Sequence, residues 1–289
     1  MVEGLAPALR EKLQALHKLI DCRNIFDDQQ LRSYLTHSHP TVQQIQAICK
    51  LRYWLYVCVL DQFVLIDSMH EGSAKTTIDT NLSVVNNKFS SYAKSRSNNF
   101  DEFGVNQYYF NQTKIDRFAS GLEISPHFKS TWDQDILYIG ARTEGELFYF
   151  STLGYDINKI RCFDLYSYSS FIDLGDMHNL PCMSNTFDTC LLTHCITYSE
   201  QPLVAIREVF RLLRPGGRLF ISVSLDNTVS SKKQKLQSER PKTGADNILT
   251  IQGYVELVQS SSLSFRTSKV VVSKSNPAMA TVVFTKSYA

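Results

Sequence analysis

Between Leu5 and Ile20 the apolar residues Leu9, Leu13, Leu16 and Ile20 recur at helical spacing, which predicts an amphipathic helix. Residues 27–36 (DDQQLRSYLT) predict a second, shorter helix. Pro40 then stands at a first helical position, where its missing N–H costs nothing. From there TVQQIQAICKLRYWLYVCVLDQFVLIDSMHEG predicts a long helix ending near Gly72. Its middle, Tyr53 to Leu60, is apolar on every side, as in a helix buried within its own domain or against a second subunit. Residues 73–130 are polar, rich in Ser, Asn, Tyr and Phe, and show no period. They read as a linker and lid, with Tyr108, Tyr109 and Phe110 as lid aromatics or, alternatively, core residues.

After Trp132 the pattern changes. DILYIG (135–140) predicts a short buried strand ending in glycine, and EGELFYFSTLG (144–154) a helix with a glycine cap. KIRCFDLY (159–166) and TFDTCLLTH (186–194) predict two more strands. QPLVAIREVFRLLRPGG (201–217) predicts a strongly amphipathic helix stopped by Pro-Gly-Gly, followed by the strand RLFISVS (218–224). Strands alternating with helices at this spacing imply a doubly wound, mostly parallel α/β sheet. LTIQGYVELVQSSS (249–262) predicts a further helix, and SFRTSKVVVSKS with AMATVVFTKS, joined around Asn276-Pro277, a terminal hairpin. The chain thus divides into a helical N-terminal cap, 1–130, which serves substrate binding or dimerisation, and an α/β domain, 131–289.

Composition changes this picture little. Of 289 residues 43% are hydrophobic and 20% charged, enough apolar material for a real core, and the net charge of +2 marks no dedicated nucleic-acid binder. The seven cysteines show no CxxC pair, so no metal site is expected and a reducing cytoplasm fits best. The N-terminus lacks the apolar core of a signal peptide. The apolar run from Tyr53 to Ile66 contains Asp61 and is shorter than the about 20 residues of a membrane span.

In an open α/β sheet, ligands bind beyond the carboxyl ends of the strands. Four places in the chain lie at such ends. The first is the turn Gly140-Ala141-Arg142-Thr143-Glu144-Gly145, where a glycine admits close approach of a ligand and a helix start offers N–H groups, or where the chain simply turns tightly. The second is Asp164, 24 residues after Gly140, at the distance where a carboxylate meets a ribose diol, or else a solvated loop carboxylate. The third is Gly175-Asp176-Met177, a carboxylate and a thioether suited to an adenine amino group and ring. The fourth is Thr193-His194; a histidine there suits proton transfer, or is bonded to neighbouring backbone.

Taken in order, these elements resemble the class I S-adenosylmethionine-dependent methyltransferase family over residues 135–224 and onward to the C-terminus. DILYIGARTEGE stands at the family's glycine-rich first motif, CFDLYS at the acidic second, and GDMHNLP at the adenine-contacting third. NTFDTCLLTHCITYSEQPLVAIREVFRLLRPGGRLFISV resembles the fourth strand, helix and fifth strand, and is the most specific part of the match. The resemblance implies a Rossmann-like, seven-stranded sheet whose last strand is inserted antiparallel. It implies S-adenosyl-L-methionine as cofactor, its methionine end along Gly140, ribose on Asp164, and adenine near Asp176 and Met177. Thr193 would lie beside the cofactor and His194 would act as the base. The family's acidic-x-Gly-x-Gly-x-Gly pattern keeps only its first glycine: the positions are Tyr138, Gly140, Arg142 and Glu144. Arg142 would then pair with the cofactor carboxylate and Glu144 with its ammonium, or both would fill the pocket of a protein that no longer binds it. Only 11 residues separate Asp164 from Asp176, so little or no helix is expected between those strands.

The function implied is methyl transfer to an oxygen or nitrogen of a small-molecule substrate. The alternative is a non-catalytic relative acting as scaffold or partner subunit, with a homodimer formed through the N-terminal helices. A nucleotide-binding oxidoreductase is disfavoured by the absence of Gly-x-Gly-x-x-Gly. The polar, basic stretch 226–247 reads as a solvated loop, or as a lid whose Lys232, Lys233 and Lys235 attract an acidic substrate.

Overall fold

A computed structural model describes residues 25–53, 64–65, 133–141, 143–167, 169–193, 195–196, 199, 201–224, 251–261, 263–272 and 279–287. Two N-terminal helices come first: α1 (Asp28–His37), whose N-cap Asp27 accepts the backbone N–H of Gln30, and α2 (Val42–Tyr53). The expected helices at 5–20 and beyond Tyr53 through the apolar middle lie outside the described residues. The long helix does not reach Gly72, however. Val64–Leu65 form a short strand, β1, paired antiparallel with Tyr166–Ser167. Helical periodicity lost here because a β-branched, apolar segment found a strand edge to pair with.

The remaining elements follow in the expected order. β2 (Ile136–Ile139) leads to α3 (Glu144–Thr152), a single 3-10 turn, and β3 (Ile160–Asp164). β4 (Tyr166–Ser167) and β5 (Asp173–Leu174) follow with no helix between β3 and β5 among the described residues, as the short spacing requires. Then come β6 (Phe187–Thr193), α4 (Pro202–Leu212), β7 (Leu213–Ser224), α5 (Ile251–Ser260), β8 (Phe265–Val272) and β9 (Met279–Lys286). Seven strands form one sheet in the order β5-β3-β2-β6-β7-β9-β8. β5, β3, β2, β6 and β7 are parallel, and β9 is inserted antiparallel between β7 and β8. β2 is buried at all four positions, as a central parallel strand must be when both faces are covered.

Each face has its own core. On one, α1, α2 and α3 cover Ile136, Tyr138, Cys162 and Leu191. On the other, α4 and α5 cover Leu137, Ile139, Phe163, Cys190 and Leu192. α4 begins with Pro202 in its first turn and buries Ala205, Ile206, Val209 and Leu212, the stripe its sequence predicts. The motif most easily read in the sequence is architectural. Asp188 accepts from the Asp135 backbone N–H at 3.0 Å and from Arg214 at 2.7 Å, and Arg214 also holds Asp135 at 2.8 Å. These groups lie at the amino end of β2 and β6, away from the strand ends that could hold a ligand.

Candidate active site

The chain runs outward from β2 to β3 and β5, then returns to the other side of β2 at β6, so the winding reverses between β2 and β6. A crevice at the carboxyl ends opens at such a reversal. Gly140 ends β2 on one side of it and Thr193 ends β6 on the other. Gly140 has φ +81, and a Cβ there would lie 2.5 Å from Cβ of Cys195. Its glycine is therefore required by the backbone conformation and by the protein's own packing. At Gly175 packing alone demands a glycine, since a Cβ there would meet Phe163 at 2.6 Å and Leu180 at 2.7 Å.

Two hydrogen bonds bring the predicted loops to one edge. Gly140 N–H donates to the Phe163 carbonyl at 2.8 Å, and Gly175 N–H donates to the Asp164 carbonyl at 3.0 Å. Asp164 Oδ1 accepts the following Leu165 N–H at 2.7 Å. Gly140, Asp164 and Asp176 thus follow one another along adjacent strand ends. Asp164 and Asp176 are both half-buried. Two carboxylates in this arrangement offer acceptors for a vicinal diol and an exocyclic amine, which is the donor set of a nucleoside. Met177 is partly buried against the core beneath them.

His178 orders this edge, and the sequence reading missed it. Asp176 Oδ1 accepts from the His178 backbone N–H at 3.0 Å and lies 2.5 Å from its Nδ1. His178 Nε2 lies 2.6 Å from Oγ of Ser199, which also accepts the Gln201 N–H at 3.1 Å. A neutral imidazole with its proton on Nδ1 satisfies both contacts. The ring ties the third-motif loop to the segment entering α4. The only sequence signal was the i, i+2 spacing of Asp176 and His178.

The first-motif departures take a definite form. Thr193 Oγ1 donates to Tyr138 Oη at 3.0 Å, and Tyr138 in turn donates to Glu146, all three being buried. Burial, then the nearby Glu146 carboxylate, pushes the Tyr138 hydroxyl well above its ordinary pKa. Glu144, expected either to meet the cofactor ammonium or to fill the pocket, is held by the protein itself. Its side chain is fully buried, and its two oxygens accept from Arg52 of α2 at 2.8 and 2.7 Å. A charge so placed needs a fixed partner, and the protein itself supplies one. Arg142 and His194 lie outside the described residues, as do the lid aromatics and the basic stretch with Lys232, Lys233 and Lys235. Among the described residues no three His, Cys, Asp or Glu side chains could hold a metal ion, and no helix is long and apolar enough to cross a membrane.

Residues 153–221 match the sequence pattern of a methyltransferase domain family. Two curated relatives match short stretches. The biotin biosynthesis bifunctional protein BioHC of Teredinibacter turnerae is 41% identical over 49 residues, 17% of this chain and 9% of that protein. The ubiquinone/menaquinone biosynthesis C-methyltransferase UbiE of Roseobacter denitrificans is 45% identical over 47 residues, 16% of this chain and 19% of that protein. The chain therefore spans less than a fifth of the length of each. Among solved structures, a SAM-dependent methyltransferase of Thermotoga maritima aligns with 68% of this chain and 99% of its own, at 16% identity and a TM-score of 0.46.

Proposed function

We propose that this chain, whose residues 153–221 match a methyltransferase domain family, is a class I S-adenosylmethionine-dependent methyltransferase that transfers a methyl group to an oxygen or nitrogen of a small molecule. One observation carries this reading: Asp164 ends β3 and Asp176 lies two residues past the end of the adjacent parallel strand β5, on the same carboxyl edge as the reversal flanked by Gly140 and Thr193. Asp164 would accept from the ribose hydroxyls. Asp176, held by His178, would accept from the adenine amino group, with Met177 against the ring. The cofactor, S-adenosyl-L-methionine, supplies a sulfonium methyl as electrophile. Since Glu144 is engaged by Arg52, the amino-acid end would be read by the Gly140 turn and Arg142. Thr193, at the end of β6, would lie beside the cofactor and His194 would face the acceptor, taking the proton when that acceptor is a hydroxyl. For the protein the main work is to align the two groups and exclude water.

In this reading residues 1–130 cap the 131–289 domain and line the acceptor pocket, and a homodimer would form through the N-terminal helices. The described cysteines are all free, which suits a cytoplasmic protein. A second reading, a non-catalytic scaffold or partner subunit, is favoured by the buried Arg52–Glu144 pair at the first motif. Thermal denaturation with S-adenosylmethionine and S-adenosylhomocysteine separates the two. Binding to the native state adds about 2.7 kcal/mol at a hundredfold excess over Kd, an easily read rise in Tm. No rise with either compound at millimolar concentration would favour the scaffold.

A further inference from the structure

We propose that Arg52, in the N-terminal cap, is a positioning residue of the cofactor site, fixing the geometry of two loops that it does not share a strand with. The proposal rests on the cofactor reading above. Arg52 is fully buried, and its guanidinium joins separate parts of the chain. Nε and Nη2 hold Glu144 at 2.8 and 2.7 Å, Nη1 donates to the Ile25 carbonyl at 2.7 Å, and Nη2 holds Asp28 at 2.6 Å. Asp28 also accepts from the Ser170 hydroxyl, and Arg52 Cζ lies 5.3 Å from the centroid of Phe171. One planar fork therefore grips the first residue of α3, directly after the Gly140 turn, and through Asp28 and Phe171 the loop between Asp164 and Asp176.

Two buried side chains outside the helix anchor the first turn of α3: Arg52 holds Glu144, and Tyr138 holds Glu146. Glu144 stands where the family has a glycine, and in this chain its carboxylate becomes the handle by which the cap holds the turn. Burial works against the charge on Arg52, while Glu144 and then Asp28 more than offset it, so the guanidinium stays ionised at any working pH. Loops held this way have a fixed separation, which is what recognition of a rigid adenosine with an attached amino-acid tail requires.

A variant pair tests positioning apart from stability. Arg52→Met with Glu144→Leu replaces the buried ion pair by hydrocarbon of similar volume, a change that commonly preserves stability. The expected result is a Tm within a few degrees of wild type and a Kd for S-adenosylhomocysteine weakened at least tenfold by calorimetry. An unchanged Kd in the folded double variant would overturn the proposal and leave the pair a packing feature. Hydrogen exchange on the wild-type protein supplies an independent arm should the double variant not fold. Coupling is reciprocal, so saturating S-adenosylhomocysteine should slow amide exchange across 42–53 at least threefold, and no slowing there would equally overturn the proposal. A wild-type protein that binds neither compound overturns the cofactor reading itself, and this proposal with it.

Discussion

The two faces of the sheet solve the same packing problem differently. Under α4 and α5 the interior is hydrocarbon, and the charged groups sit at its rim serving backbone. Glu208 accepts the Leu180 N–H at 2.8 Å, and Lys286 donates to the carbonyls of Phe210 and Leu213 at 2.8 and 2.7 Å. Under α1, α2 and α3 an ion pair with both side chains fully buried lies inside the core, with Tyr138, Glu146 and Thr193 hydrogen-bonded nearby. Hydrocarbon packing tolerates small shifts, whereas a bidentate ion pair in low dielectric accepts one geometry. The charged face is also the one where the N-terminal helices meet the Gly140 turn. Rigidity is placed there, beside the candidate site, and ordinary packing on the side away from the cap.

The sharpest way to break this contrast is Glu144→Ala, which leaves Arg52 buried with only Asp28 for an ionic partner. The expected loss is about 3–5 kcal/mol in urea unfolding, and a loss below about 1 would show that the pair is not the anchor of this face. On the opposite face Ile206→Ala should cost about 2–4 kcal/mol by cavity formation alone, with S-adenosylhomocysteine affinity unchanged once the protein is folded. A matching loss of affinity would erase the distinction between the faces. Tyr138→Phe removes the donor to Glu146 and the acceptor of Thr193, and should cost about 1–3 kcal/mol. Full stability in that variant would mean that water or another group replaces the phenol.

The most gradual effect is the response to alkali. Tyr138, Cys162 and Cys190 all have pKa values raised by burial, so the folded state holds their protons more tightly than the unfolded chain. Their contribution is complete below the unfolded-state values and is lost as pH climbs from there towards the raised folded ones. Stability should therefore begin to fall near pH ~8.5 as unfolded thiols ionise, and more steeply past ~10 as the tyrosine does, each group adding at most about 1.4 kcal/mol per pH unit. A flat profile of ΔG between pH 8 and 10.5 would contradict this burial.

Much of the α/β domain was legible because its signals are local. Ile136–Ile139 is an uninterrupted apolar run, Pro202–Leu212 carries a helical stripe opened by proline, and the spacing of Asp164 and Asp176 leaves no room for a helix. Such patterns follow from backbone periodicity and from the exclusion of water from one face, and neither depends on which distant segment supplies the other side. The carboxylates at strand ends were legible for the same reason, since a parallel strand must end where its apolar run ends.

Only the tertiary structure decided what those side chains meet. Glu144 was expected to face a ligand, yet its partner is Arg52, 92 positions away in the sequence. Val64–Leu65 left a helical pattern to pair with Tyr166–Ser167, and His178 joined Asp176 to Ser199 across two loops. The physical reason is common to all three. A buried charge, an open strand edge or an imidazole nitrogen requires a partner, but its chemistry states only what kind, and chain topology selects which one comes within reach.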